Sequence, residues 1–360
     1  MRIGLLADSV DRPGGIGRYT RELLGALARR GDVRLAVAAP AAAAGIVARL
    51  GGDALDAHVT MPASQLTSGL WARRSSGRAL QAAGAELVHG TKHLVPRGPV
   101  PTVLTVHDVL TITRARDNAL VKRLVLPTQY RHSLTDASRL VAVSRATRDR
   151  LERLDASWAA KTVVVPSGVS RDLFDAAPTP LPGVSDFALA VGDVIPRKNL
   201  DVVLDVWPTI AAGGGPHLVV IGQPGPHGEP IAARIGELVA AGTATWVQDA
   251  DDARLRWCYE HARVVLLPSL EEGFGLPLVE ARAFGAPVLA SRDPALVEVA
   301  AGDPGVTHLD AHDRRAWREA VLATTPRLPA PVVGPPPAMR TWEEHAEGVV
   351  AVYRELLARA

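Results

Sequence analysis

The sequence predicts an α/β protein made of two domains, each a doubly wound parallel sheet. Three observations predict it. Short apolar runs alternate with helix-period segments along the whole chain, which is the pattern of repeated βα units. The stretch RDLFDAAPTPLPGVSD after Ser170 is rich in Pro and Asp, lacks periodicity and divides that series in two. At 360 residues the chain is long for one domain and comfortable for two. The boundaries predicted are 1–172 and 183–340, with a last helix at 341–360.

In the first half, RIGLLAD (2–8) reads as a buried strand. The chain then turns through Pro13-Gly14-Gly15-Ile16-Gly17 into the helix RYTRELLGALARR. Strand, glycine loop and helix form a plan that cradles phosphate, although a tight turn alone explains the same residues. Val33–Ala39 is a strand and 41–50 a helix; a loop with Met61-Pro62 leads to a helix at about 69–83, then the strand ELVH. TVLTV (102–106) is a strand that ends in His107-Asp108. A histidine there can donate to a sugar hydroxyl or carry a proton near neutral pH, or simply cap the strand. Residues 118–136 are helical, with Pro127 expected to kink or split them. RLVAVS, ATRDRLERL and VVVPSGV close the first series as strand, helix and strand.

The second series opens at Phe187 and reads FALAVGDV, NLDVVLDVWPTIA, HLVVIG, IAARIGELVAAG, ATWVQD, DARLRWCYEHA and RVVLLPS, strand and helix in turn. Between its first strand and helix stand Arg197 and Lys198. The chain has lysine only at 92, 122, 161 and 198, so composition did not place this one. Cations are unfavourable at a helix start unless an anion is present, so the pair suits a diphosphate. Near the end of the series lies LLPSLEEGFGLPLVEARAFGAPVLA. An apolar run ends in Pro268-Ser269, Glu271 and Glu272 follow in a loop, and a Gly-Phe-Gly turn leads to a helix that carries Glu280. Gly273 and Gly275 permit positive φ and close approach, and Pro277 suits a first helical position. Carboxylates beside helix-start amides fit a hydroxyl-rich ligand with an anionic part, or an acidic cluster that only stabilises a helix. Beyond it, PRLPAPVVGPPP predicts a stiff connector, and Thr341 with Glu344 a capping box.

The text EGFGLPLVEA (272–281) resembles the E-x7-E motif of retaining glycosyltransferases of family four, which have the GT-B fold. PRKN (196–199), His107-Asp108, Gly14-Gly15-Ile16 with Tyr19, VSRAT (143–147) and VVPSGV (164–169) resemble other segments of that family, in the same order. Ser167 replaces the usual Asn, and Asp193 follows Gly192 where many members soon have an arginine. The resemblance implies two Rossmann-like domains facing a cleft, a last helix at 341–360 that packs back on the first domain, and a nucleoside-diphosphate sugar as donor. It implies that Arg197 and Lys198 meet the diphosphate and that Glu280 accepts from the ribose hydroxyls. Glu272, with the backbone of Gly273, Phe274, Gly275 and Leu276, would hold the sugar. His107 would contact the sugar, and Gly14, Gly15 and Ile16 would line the donor site. It implies front-face attack with retention, no cofactor and no metal. GDP-mannose-like and UDP-hexose donors stay open, as does the hydroxyl acceptor. An epimerase, hydrolase, phosphorylase or non-glycosidic coupling enzyme on the same fold is the alternative, or a non-catalytic nucleotide-sugar binding protein.

Charge and composition limit the partners. A formal net charge of +2, with no long basic run, gives no push toward nucleic acid. The one cysteine, Cys258, makes neither an intramolecular disulfide nor a metal framework. The start MRIGLLADSV lacks the features of a signal peptide, and no apolar run nears the ~20 residues that span a bilayer. A cytoplasmic protein is expected, with peripheral membrane contact and oligomeric state open.

Overall fold

The structure is a computed structural model that describes residues 1–62, 65–98, 100–114, 120–327 and 339–359. It divides into two compact units, Met1–Gly168 with Trp342–Ala360, and Val169–Thr341. The C-terminal helix, Trp342–Leu357, therefore belongs to the first unit.

The strands of the first unit are β1 (Arg2–Leu6), β2 (Arg34–Pro40), β3 (Leu55–Met61), β4 (Leu87–Gly90), β5 (Thr102–Val106), β6 (Arg139–Ala142) and β7 (Thr162–Val164). They form one sheet in the order β3-β2-β1-β4-β5-β6-β7, every pair parallel. The second unit has β8 (Phe187–Val191), β9 (His217–Ile221), β10 (Ala244–Val247), β11 (Val264–Leu267), β12 (Val288–Ser291) and β13 (Val306–Leu309), in the order β10-β9-β8-β11-β12-β13, again all parallel. Both are doubly wound sheets.

A sheet with helices on both faces needs strands that are apolar on both sides. In β11 successive side chains alternate between two cores. Val264 and Leu266 join Trp207 and Trp317 on one face, while Val265 and Leu267 join Tyr259, Phe284 and Leu296 on the other. Cys258 is fully buried in this second core, and burial pushes its thiol up to about 12.

Some local expectations change. The edge strand β3 has no signal in the sequence pattern; its sequence LDAHVTM is mostly half-exposed and lacks an apolar run. The helix expected at 69–83 is two helices, Gln65–Arg74 and Ser76–Ala82. The helix expected from Asn199 onward is also two, Asp201–Leu204 and Trp207–Ala212, because Pro208 cannot donate and instead opens the second. The helix Leu120–Asp136, by contrast, runs on through Pro127. Within the divider, Arg171–Asp175 is a short helix. Most of the proline-rich connector, residues 328–338, lies outside the described residues.

Candidate active site

β8 and β11 are neighbours at the centre of the second sheet. From β8 the sheet continues to β9 and β10, and from β11 to β12 and β13. The chain leaves their carboxyl ends in opposite directions, which makes this the point where an open α/β sheet binds ligands. Gly192 follows β8, and Pro268-Ser269 follow β11. Gly192 lies at φ 135°, and a Cβ there would stand 3.2 Å from Lys198 Cε.

The two loops are tied together by one main-chain hydrogen bond and by the side chain of Asn199. Leu270 N donates to Arg197 O at 2.8 Å, and Asn199 Nδ2 donates to Pro268 O at 3.0 Å and Ala311 O at 2.7 Å. Asn199 takes the left-handed conformation, φ 54°, which ends the short 3-10 turn Pro196–Lys198. That turn aims both cations at Glu272. Lys198 Nζ lies 2.6 Å from Glu272 Oε1, and Arg197 Nη1 lies 3.3 Å from Glu272 Oε2 and 3.2 Å from Glu271 O. Ser269 Oγ donates to Glu272 Oε1 at 2.6 Å.

Glu272 is 6% exposed. Burial alone raises a carboxyl pKa. Here the charges of Lys198 and Arg197, with hydrogen bonds from Lys198 and Ser269, outweigh burial and bring Glu272 down to about 2. The carboxylate is therefore ionised at any ordinary pH. A pocket at this point is lined by Gly192, Lys198, Leu200, Leu267, Pro268 and Ser269.

Downstream, Gly275 at φ 97° precedes the helix Leu276–Ala283 and, as its N-cap, offers the first amides no side-chain acceptor of its own. A Cβ at Gly275 would also lie 2.5 Å from Leu296 Cδ2, the end of a side chain that would have to shift, so it is chiefly the backbone that requires glycine. Gly273 is not among the positive-φ residues, which narrows the expected backbone freedom to Gly275. Phe274 and Leu276 are partly exposed at the helix start, and Glu280 is buried, with its Oε2 accepting from Tyr259 Oη at 2.8 Å. Glu272, Lys198 and Arg197 thus form one contact group, with Glu280 held separately on the following helix.

In the first unit, Gly14 stands at φ 85° before the helix Gly15–Ala28, and Gly14, Gly15 and Ile16 are exposed or partly so. A Cβ at Gly15 would meet no atom within 4 Å, whereas a Cβ at Gly17 would lie 1.9 Å from Arg12 O. Gly17 has no room for a side chain, and Gly14, at φ 85° and ψ 178°, has a backbone that only glycine adopts readily. His107 leaves the end of β5 with Nε2 2.8 Å from Thr91 O. A carbonyl only accepts, so Nε2 carries the hydrogen and, in the neutral ring, Nδ1 is the acceptor. Burial holds the His107 pKa below its usual value. The single N–H of the neutral ring is thus committed to Thr91 O, which leaves Nδ1 as an acceptor. Asp108 caps the short helix Leu110–Thr113, its Oδ1 accepting from Leu110 N at 3.0 Å. Among the described residues, no group of three or more His, Cys, Asp or Glu is arranged to hold a metal ion.

Two family models divide the chain between them: Glycosyltransferase Family 4 matches residues 13–173 and Glycosyl transferases group 1 matches 174–322. The chain is 30% identical over 294 residues to the D-inositol 3-phosphate glycosyltransferase of Xylanimonas cellulosilytica, covering 73% of this chain and 68% of that protein. This chain is a family-four glycosyltransferase. Its GT-B fold is shared with the sucrose-phosphate synthase of Thermosynechococcus elongatus, at a TM-score of 0.74, 20% identity and 100% coverage of both chains. The HepE protein of Anabaena, solved in complex with UDP-glucose, matches at a TM-score of 0.64 and 15% identity, over 100% of this chain and 98% of that one.

In this transferase three residues that the motifs did not single out shape the motif residues. Ser269 stands in the stretch LLPSLEEGFG, but a serine after a strand gives no sign that it will bond a carboxylate three residues on. Tyr259 lies in the pattern RWCYEHA, where only its buried face was legible. Gly17 was one glycine of three in its loop, and its need for space comes from Arg12 folding back over it. No helix among the described residues is long and apolar enough to cross a membrane.

Proposed function

We propose that this glycosyltransferase moves a hexosyl group from a nucleoside-diphosphate sugar to a hydroxyl acceptor with retention of configuration. The observation that carries the reading is the pairing of Lys198 and Arg197 with buried, ionised Glu272 at the central crossover of the second sheet. Those three groups carry one net positive charge between them, beside a helix start whose amides also favour anions. The UDP-glucose complex of HepE supports a donor of this class; UDP-hexose and GDP-mannose-like donors both fit the chemistry.

Lys198 and Arg197 offset the charge that builds on the leaving diphosphate, a contribution made by preorganised groups that need no reorganisation during reaction. Glu272 fixes the two cations and accepts hydrogen bonds from the sugar, with the backbone of Gly273, Phe274, Gly275 and Leu276 around it. Glu280, oriented by Tyr259, accepts from the ribose hydroxyls. Gly14, Gly15 and Ile16 give the donor a surface it can approach closely. His107 presents Nδ1 as acceptor to a sugar hydroxyl. The acceptor attacks on the face from which the diphosphate departs, and a departing phosphate oxygen takes its proton. No resident metal or cofactor is needed in this scheme.

A thermal-shift panel of UDP, GDP, ADP and their hexose conjugates tests it. A ligand at 100 times its Kd stabilises the folded state by about 2.7 kcal/mol. One base should raise Tm, and its sugar conjugate should then be consumed only with a hydroxyl acceptor. Free sugar or an epimer formed without transfer would replace this reading with a hydrolase or epimerase on the same fold.

A further inference from the structure

A continuous chain of polar groups crosses the interior of the first unit, and both its ends involve the C-terminal helix. Tyr353 Oη lies 2.5 Å from His89 Nδ1, and His89 Nε2 lies 2.8 Å from Thr105 Oγ1. Thr105 Oγ1 lies 2.8 Å from Tyr19 Oη, Tyr19 Oη 3.0 Å from His345 Nε2, and His345 Nδ1 2.8 Å from the Pro166 carbonyl oxygen. All five side chains are buried. Neither family model extends past residue 322, so His345 and Tyr353 lie beyond the matched segments.

The carbonyl end sets the order of the protons. Pro166 O can only accept, so His345 Nδ1 donates to it. In the neutral ring His345 Nε2 then accepts from Tyr19, Tyr19 accepts from Thr105, Thr105 accepts from His89 Nε2, and His89 Nδ1 accepts from Tyr353. Every proton along the chain has an acceptor. The opposite order needs hydrogen on both nitrogens of His345, which buries an imidazolium at a cost in desolvation. His89 suits the neutral order, since burial holds it down to about 3.

Tyr19 is where this chain meets the site. Its ring stands edge-on to His107, with centroids 4.6 Å apart and an interplanar angle of 87°. Trp342 and His345, both from the C-terminal helix, pack edge-on against the same tyrosine at 5.4 Å and 5.2 Å. His107 is held from elsewhere by Thr91 O at Nε2 and by Thr147 Oγ1, which donates to His107 O at 3.3 Å. Its ring plane is thus defined on one side by a tyrosine that cannot rotate without breaking two buried hydrogen bonds.

We propose that His345 and Tyr19 are positioning residues for glycosyl transfer, through which the C-terminal helix fixes the ring of His107. This rests on the role assigned to His107 above. It assigns the helix a part in the reaction that covering a sheet does not require.

The test uses the full-length protein labelled with 15N-histidine, with ring tautomers read by long-range 1H–15N correlation. Turnover is followed as nucleoside diphosphate released from UDP-glucose or GDP-mannose, whichever the thermal-shift panel selects. The wild type should show Nε2–H tautomers for His89 and His107 and an Nδ1–H tautomer for His345. Tyr19→Phe keeps the ring but breaks the chain, and His345→Asn keeps the bond to Pro166 but removes the acceptor for Tyr19. Both should shift the His107 ring signals and lower kcat roughly tenfold, with the donor KM within about twofold, as expected for misplacement of a reacting group. His345→Gln, which can return an acceptor near the Nε2 position, should stay within about threefold of wild type by the same reasoning. If His345→Asn does not fold, Tyr19→Phe carries the test. Unchanged kcat in His107→Ala, which leaves no acceptor at either ring position, would remove the role of His107 and the proposal with it. Unchanged His107 signals in Tyr19→Phe, alongside an impaired His107→Ala, would overturn the proposal alone.

Discussion

Replacing Glu272 by Gln isolates the electrostatics of the second unit, because the amide keeps the size of the side chain and an acceptor for Lys198 and Ser269. The carboxyl is 6% exposed, and burial alone would raise its pKa. Lys198 at 2.6 Å and Arg197 at 3.3 Å, with Ser269 at 2.6 Å, bring it from 4.5 down to about 2. A difference of that size is worth about 3 kcal/mol at pH 7. The folded-state pKa is depressed, so the stability is fully present above the unfolded value near 4.5 and is lost as pH falls toward 2. The advantage of wild type over Glu272→Gln should thus be about 3 kcal/mol at pH 7 and about 2 kcal/mol at pH 3.5, shrinking further below that. Urea titration read from the second unit's tryptophans, Trp207, Trp246, Trp257 and Trp317, measures it at each pH. An equal difference at pH 7 and pH 3.5, or no difference at either, would refute an ionised carboxylate held by the two cations.

The remaining predictions concern smaller changes. Gly17→Ala should cost about 1–3 kcal/mol of stability, since its Cβ would fall on the Arg12 carbonyl. Gly15→Ala meets no neighbour and should leave stability within about 0.5 kcal/mol. A turnover defect in Gly15→Ala at unchanged Tm then assigns that position to a ligand contact, and a matching fall in Tm argues against it. Tyr259→Phe removes the phenol that orients Glu280, a bond to a charged group worth about 1.5–3 kcal/mol. It should weaken UDP or GDP more than the corresponding 2′,3′-dideoxynucleotide, as measured by calorimetry; equal losses would mean that Glu280 does not read the ribose.

The parts of this structure that the sequence made legible are those where one residue type answers one physical demand. VVLL in β11 must be a two-sided buried strand, and it feeds two cores with alternate side chains. The cations of PRKN stand at a strand-to-helix junction, where the doubly wound order of the sheet brings them to the loop after β11. What stayed hidden depends on distant partners. β3 is an edge strand with no apolar run to announce it. Gly17 and Gly15 look alike until Arg12 is seen above one of them. His89, Tyr19 and His345 are separated by up to 326 positions, and no local spacing links them. His107 was legible as a polar group at a strand end, but which of its nitrogens carries the proton was decided by Thr91 O, a contact made only in the fold.

In the proposed mode of binding, the second unit holds a nucleoside diphosphate with its phosphates on Lys198 and Arg197 and its ribose on Glu280. Isothermal titration of UDP and GDP into the wild type, Lys198→Ala and Glu280→Ala tests it most directly. One of the two nucleotides should bind the wild type, and each substitution should weaken it roughly tenfold or more, the loss of a bond to a charged group. Unchanged affinity in both variants would contradict it.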